Sequence, residues 1–193
     1  MIFVFSVMPT LFISYLWHFS NIGIRIVAIF GCLCILATLI SLFDILISIK
    51  PILKTVPRFI RTIGFLSFVA FLLKSLLQTG TIIPFLGKLV FGDRAIIVGY
   101  LHLVLLGFVS LYILTHLLYS GLLNASSWFT RIALLTFISG VMVNEAILMV
   151  QGFGNMLMIS NGFYAWLLWG ASLWLLTGTI LIFTARLKIY RKI

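Results

Sequence analysis

Long apolar stretches recur six times along these 193 residues, and short polar breaks separate them. A stretch of about 20 apolar residues is what a helix needs to cross a hydrocarbon core roughly 30 Å thick. In lipid the backbone must satisfy its own hydrogen bonds, so such stretches form helices. The expected spans are 2–17, 22–47, 60–77, 95–118, 129–150 and 163–185. Hydrophobic residues make up 63% of the chain and charged residues 8%. A soluble domain averages about 45–50% and about 25%. The fold class expected is therefore an all-α integral membrane protein, a bundle of about six transmembrane helices. Residues 1–193 are read as one transmembrane domain, because no stretch is long and polar enough for a soluble one.

The breaks carry turn chemistry. Lys50-Pro51 through Val56-Pro57 ends the second stretch, and Gln78–Arg94 holds Pro84 and Gly87. Asn124–Ser127 and Gly152–Asn155 mark the later turns. Within Gln78–Arg94, Ile82–Leu86 is apolar but too short to span, which fits an interfacial or re-entrant segment.

The net charge is +10, with thirteen Lys and Arg against three acids. In a soluble protein this balance would point to nucleic acid, but no nucleic-acid motif is visible. Basic residues flanking spans on the cytoplasmic side account for it instead, and the lipid bilayer is the expected partner. Lys50, Lys54, Arg58 and Arg61 fall in one loop, and Arg186, Lys188, Arg191 and Lys192 in the tail. Four spans lie between, so both clusters fall on one side, and Arg131 joins them. The N-terminus and the C-terminus are then both cytoplasmic. The first stretch has no polar lead before it, as though the chain were the tail of a longer protein.

Trp17, Trp128, Trp166 and Trp169 sit near span ends, as an interfacial aromatic belt requires. Gly99, Gly107 and Ser110 lie along one side of the fourth span. Gly170, Ala171, Thr177 and Gly178 do the same in the sixth. Small residues let helix backbones approach closely in lipid. Cys32 and Cys34 point in different directions on one helix, which suits packing better than a disulfide or a metal pair.

Ionisable residues inside spans are costly and so mark candidate sites. Glu145 lies about five residues, or roughly 8 Å, inside the outer end of the fifth span. His102 lies about seven residues, or roughly 10 Å, inside the outer end of the fourth. Lys74 closes the third, and Tyr100 and Asn144 stand at similar levels. The alternating topology therefore gathers Lys74, Tyr100, His102, Asn144 and Glu145 into one outer-leaflet layer. Read functionally, this is a proton or ion site: Glu145 as acceptor, His102 as relay or ligand, Lys74 as partner. Read structurally, Lys74 snorkels to the headgroups and Glu145 makes one interhelical bond. His102 and His116 are fourteen positions apart. At about 100° per residue they return to nearly one helix face, which resembles the two-histidine helix of b-type cytochromes, where one helix supplies a ligand to each of two haems. A bis-His site needs a histidine from a second helix, and only His18 remains. No nucleophile arrangement, metal cluster or phosphate loop is visible, so no catalytic residue is assigned and an enzyme is not expected.

The stretch from Phe71–Gln78 through Ile83-Pro84 and Phe91–Arg94 to Val98–Phe108 resembles the C-terminal half of uncharacterised bacterial multi-pass proteins. These are distantly similar to haem–copper oxidase subunit I. The resemblance covers about a fifth of the chain; elsewhere only hydropathy agrees. In that family a His-x-His places one ligand on each of two haems. Tyr100-Leu101-His102 stands at the pattern, with Tyr100 replacing the first histidine. The resemblance thus implies a low-spin haem b ligand at His102 and no oxygen-reducing centre. The other axial ligand would come from another membrane subunit or a missing N-terminal half. It also implies the bacterial cytoplasmic (inner) membrane.

Three functions follow as expectations. The first is a non-catalytic accessory subunit or fragment of a haem–copper-oxidase-like protein. The second is a small proton- or ion-coupled transporter or channel component built on the polar cluster. The third is a membrane assembly or scaffold protein.

Overall fold

The computed structural model describes residues 22–157 and 162–190. The first expected span, 2–17, and His18 lie outside the described residues, as do Arg191 and Lys192. Among the described residues all regular structure is helical. The helices are α1 (Ile22–Thr55), α2 (Arg58–Gly80), α3 (Pro84–Gly92), α4 (Arg94–His102), α5 (Leu111–Tyr119), α6 (Trp128–Met156) and α7 (Phe163–Tyr190). A π-helical segment, Leu103–Ser110, joins α4 to α5 without a break. Five helices are long and apolar enough to cross a membrane: α1, α2, the continuous Arg94–Tyr119, α6 and α7.

Two boundaries differ from those expected. α1 runs through Pro51 and ends at Thr55, so the break shrinks to Val56-Pro57. A proline inside a helix removes one N–H and bends the helix. Val56, placed just before Pro57, is pushed out of the α region, and there the helix stops. α6 likewise continues through Gly152–Asn155 to Met156. Two glycines in a helix cost about 1 kcal/mol each, which a helix of 29 residues absorbs. The segment after α2 is a nine-residue helix with Pro84 opening its first turn. At 1.5 Å per residue it is roughly 14 Å long, too short to span.

The chain forms two packing units. The first comprises 1–56 and 71–97, the second 57–70 and 98–193. In the first, Ala28, Cys32 and Ile35 make a buried patch on α1, with Leu39 and Ile82 packed against it. Their three- and four-residue spacings put them on one helix face.

The second unit is assembled through small residues. A Cβ added at Gly64 would sit 3.2 Å from Thr115, and one at Gly107 would sit 3.3 Å from Ala70. A Cβ at Gly99 would sit 3.5 Å from Leu148. Rising numbers on one helix meet falling numbers on the other, so these neighbours are antiparallel. α6 and α7 form the most extensively packed pair. Gly178 lies against the Phe137 backbone, and Gly140 against Trp174 and Leu175. Of the four small residues expected to line a contact in α7, Ala171 and Gly178 are buried. Gly170 and Thr177 are exposed. Each pair is seven residues apart and shares a face; the two faces differ by about 100°.

α5 ends in a tight turn. Gly121 takes φ 73°, a conformation that glycine adopts without a Cβ penalty. Its N–H donates to the Leu118 carbonyl and that of Leu123 to Leu117. This satisfies carbonyls that a helix end leaves open.

Candidate functional site

The site is built where α4 meets α6 in the second unit. Gly99 removes a side chain and lets the α4 backbone come up to Leu148. One turn further along α4 comes His102; one turn back along α6 come Asn144 and Glu145. The antiparallel register thus sets His102 beside Glu145, and the two interact electrostatically. Glu145 is half-buried and Asn144 is only 3% exposed.

His102 is oriented by its own helix. Its Nδ1 lies 2.8 Å from the Val98 carbonyl oxygen. A carbonyl can only accept, so Nδ1 carries the hydrogen. In a neutral imidazole the lone pair then resides on Nε2, free to accept a proton or bind a ligand. On the other side, Asn144 Nδ2 and Glu145 Oε1 are shut off from solvent and complete no hydrogen bond. The Asn144 amide lies close enough to act on the carboxylate, but the geometry leaves both atoms unsatisfied. An unmade hydrogen bond on a buried polar atom costs about 1–3 kcal/mol, so the pair is held there at some expense to stability.

Glu145 is deeper in its helix than the expected span implied. With α6 running to Met156, it stands eleven residues, or roughly 16 Å, from that end. The extension also brings in Gln151, which sequence reasoning missed. Its Oε1 is buried and unpaired. Asn144, Leu148 and Gln151 follow the i, i+4, i+7 spacing of one helix face. That spacing is present in the sequence, but it runs past residue 150, where the expected span ends.

Four residues of the expected five-residue layer, Tyr100, His102, Asn144 and Glu145, belong to the second unit. Asn144, Glu145 and His102 come together. Tyr100, two residues before His102, is about 200° round α4 from it. Lys74 belongs to the first unit, where its Nζ lies 5.9 Å from the Phe71 ring centroid.

Immediately after His102 the helix widens into the π segment. Such segments are rare and gather at functional sites. Ser110 Oγ donates to the Leu105 carbonyl five residues back, at 2.8 Å. From α2, Ser67 Oγ donates to the Phe108 carbonyl at 3.0 Å, next to the Gly107–Ala70 contact. The widening also breaks the uniform 100° count between His102 and His116. His116 is exposed while His102 is half-buried, so the two do not share one environment.

Comparison with family models, with curated proteins and with solved structures finds no match to this chain. That leaves untested the expected resemblance of 71–108 to bacterial multi-pass proteins distantly similar to haem–copper oxidase subunit I. Its implied haem can be tested against the donor set. A b-type haem of that kind takes two axial nitrogens. His102 offers one, and the other described histidine, His116, is exposed on the same span. No group of three His, Cys, Asp or Glu side chains able to hold a metal is found among the described residues. The described residues thus do not complete a haem site within this chain.

Proposed function

We propose that the protein is a small proton-coupled transporter or channel component of the membrane, in which Glu145 and His102 exchange a proton. The observation that carries this reading is the pairing of Glu145 with His102 on facing helices, with Nε2 left free by the Nδ1–Val98 bond. One proton shared between a carboxyl and an imidazole leaves the pair neutral, whether it rests on the acid or forms an imidazolium beside a carboxylate. Neutrality suits a low-dielectric site, where an unpaired charge is expensive. A second proton, or loss of the shared one, makes the pair charged. That difference between two states is what a coupling site requires. The cytoplasmic placement of both chain ends and an inner-membrane location are part of the same reading. They are supported by the basic ends of α1, α2 and α7.

The test is proton movement into vesicles reconstituted with the full chain and loaded with a pH-sensitive dye, driven by a potassium diffusion potential. Wild-type protein is expected to pass protons faster than empty vesicles, and Glu145→Gln to return the rate to the empty-vesicle level. A wild-type rate equal to that of empty vesicles overturns the proposal and leaves a scaffold role as the better account.

The orientation of His102 favours one further reading. A carbonyl-tethered Nδ1–H with a free Nε2 is also how axial histidines are presented to metals. On that reading the chain is an accessory subunit of a haem–copper-oxidase-like complex, and the second ligand comes from a partner. A reduced-minus-oxidised spectrum of the purified complex, with a b-type band lost in His102→Ala, would support it. A band unaffected by that substitution would rule out His102 as ligand.

A further inference from the structure

The opposite end of the second unit gathers positive charge without acid. Arg131 Nε donates to the Ala125 carbonyl at 2.8 Å, and its guanidinium lies 5.9 Å from the Phe59 ring centroid. Lys188 Nζ sits 4.1 Å from the Phe129 ring centroid. Arg186 Nη1 donates to the Leu122 carbonyl. Arg58 and Arg61 open α2 beside Phe59. The second unit contains a single acid, Glu145. It is fourteen residues along α6 from Arg131, roughly 21 Å away. Five cations therefore share this end, and among the described residues none is matched by a carboxylate of its own unit.

Beside Arg186 runs a groove of about 270 Å³. Leu117 of α5, Leu122 and Leu123 of the turn, and Ile182 and Phe183 of α7 wall it, with Arg186 at its mouth. Thr179 also lines it, but its hydroxyl is already tied to the Leu175 carbonyl. The space is large enough to hold several waters. They would find almost no polar wall to bond to, and such spaces suit hydrocarbon instead. Arg186 spends one of five N–H donors on Leu122, which leaves a fork suited to a phosphate.

We propose that this groove binds one anionic phospholipid, an acyl chain lying between α5 and α7 and the phosphate resting on Arg186. Charge complementarity selects the occupant: Arg186 lines the groove, and this end of the unit also carries Lys188 and Arg131 and no acid, so a lipid with net negative charge is preferred over a zwitterionic one. The Gly121 turn holds Leu122 and Leu123 in the wall and offers the Leu122 carbonyl that positions the guanidinium. The site is independent of the Glu145–His102 pair, which lies fourteen residues, or roughly 21 Å, further along α6 from Arg131.

The test uses the full chain in detergent, with phosphatidylglycerol and phosphatidylcholine as competing probes and native mass spectrometry to count retained lipid. Wild-type protein is expected to retain one phosphatidylglycerol in preference to phosphatidylcholine. One Lys or Arg near the membrane surface is worth about 1 kcal/mol, or about fivefold in affinity. Arg186→Gln should reduce the preference by at least that factor, and Lys188→Gln by less. Ile182→Trp, which fills the groove without touching charge, should also release the lipid. Should Arg186→Gln fail to fold, Ile182→Trp decides. An unchanged preference in Arg186→Gln, or in Ile182→Trp if only that variant folds, overturns the proposal. So does an equal loss in Arg186→Gln and Lys188→Gln, which would mean diffuse attraction rather than a site.

Discussion

Glu145 has too short a side chain to reach the headgroups from the middle of a 29-residue helix, so its charge must be met where it lies. On the proposed reading His102 meets it, and each residue should then report on the other. In infrared titration the carboxylic-acid band that disappears in Glu145→Gln is expected to move in His102→Gln. A band unmoved by the histidine substitution would separate the two residues. This much of the site was legible in the sequence: depth along two antiparallel stretches already set His102 and Glu145 at one level. Gln151 was not, because the glycines at 152 and 154 read as a turn. In lipid the helix has no water to lose its hydrogen bonds to, so glycine is a weaker stop there than in a soluble protein.

Among the elements, α7 separates contact from coincidence. A Cβ at Gly178 would stand 2.7 Å from Phe137 Cα, whereas one at Gly170 meets nothing within 4 Å. Gly178→Ala must push α6 and α7 apart and is expected to destabilise by about 1–3 kcal/mol, as overpacking does. Gly170→Ala should be neutral or stabilising by up to about 1 kcal/mol, through helix propensity. Thermal unfolding of the two variants in one detergent checks the contrast, and equal shifts would contradict the α6–α7 register. The π segment offers a second test. Ser67→Ala removes the donor to the Phe108 carbonyl and should cost about 1 kcal/mol; an unchanged melting temperature would mean that the carbonyl finds another donor. No periodicity in Leu103–Ser110 announces this segment. Its wide turn is sustained by a hydroxyl 41 residues away, and local sequence does not encode such a partner.

At the scale of the whole molecule, hydropathy made the helical class and three of the five described spans legible to within a few residues. The overrun of α1 and α6 was not, since both pass through residues that usually stop helices. Alternating span direction predicts the sidedness of the loops. Single cysteines introduced at Lys54 and Ser126, in a variant lacking Cys32 and Cys34, are expected to react with an impermeant thiol reagent only from the cytoplasmic face. One at Thr81 should react only from the other face. Labelling of Lys54 and Thr81 positions from the same side would contradict the assigned span count.

α1 has a consequence for the lipid itself. Its 34 residues reach about 51 Å at 1.5 Å per residue, against a hydrocarbon core of roughly 30 Å. Burying that whole length would need a lean of more than about 50°, outside the usual range of up to about 40°. The turns bearing Lys50 and Lys54 must therefore stand proud of the hydrocarbon. Even the apolar part, residues 22–47, fits only at a lean near 40° in a bilayer of that thickness. A thicker bilayer would let α1 stand more upright and a thinner one would favour a greater lean, so the angle of this helix responds to the membrane around it as well as to its packing.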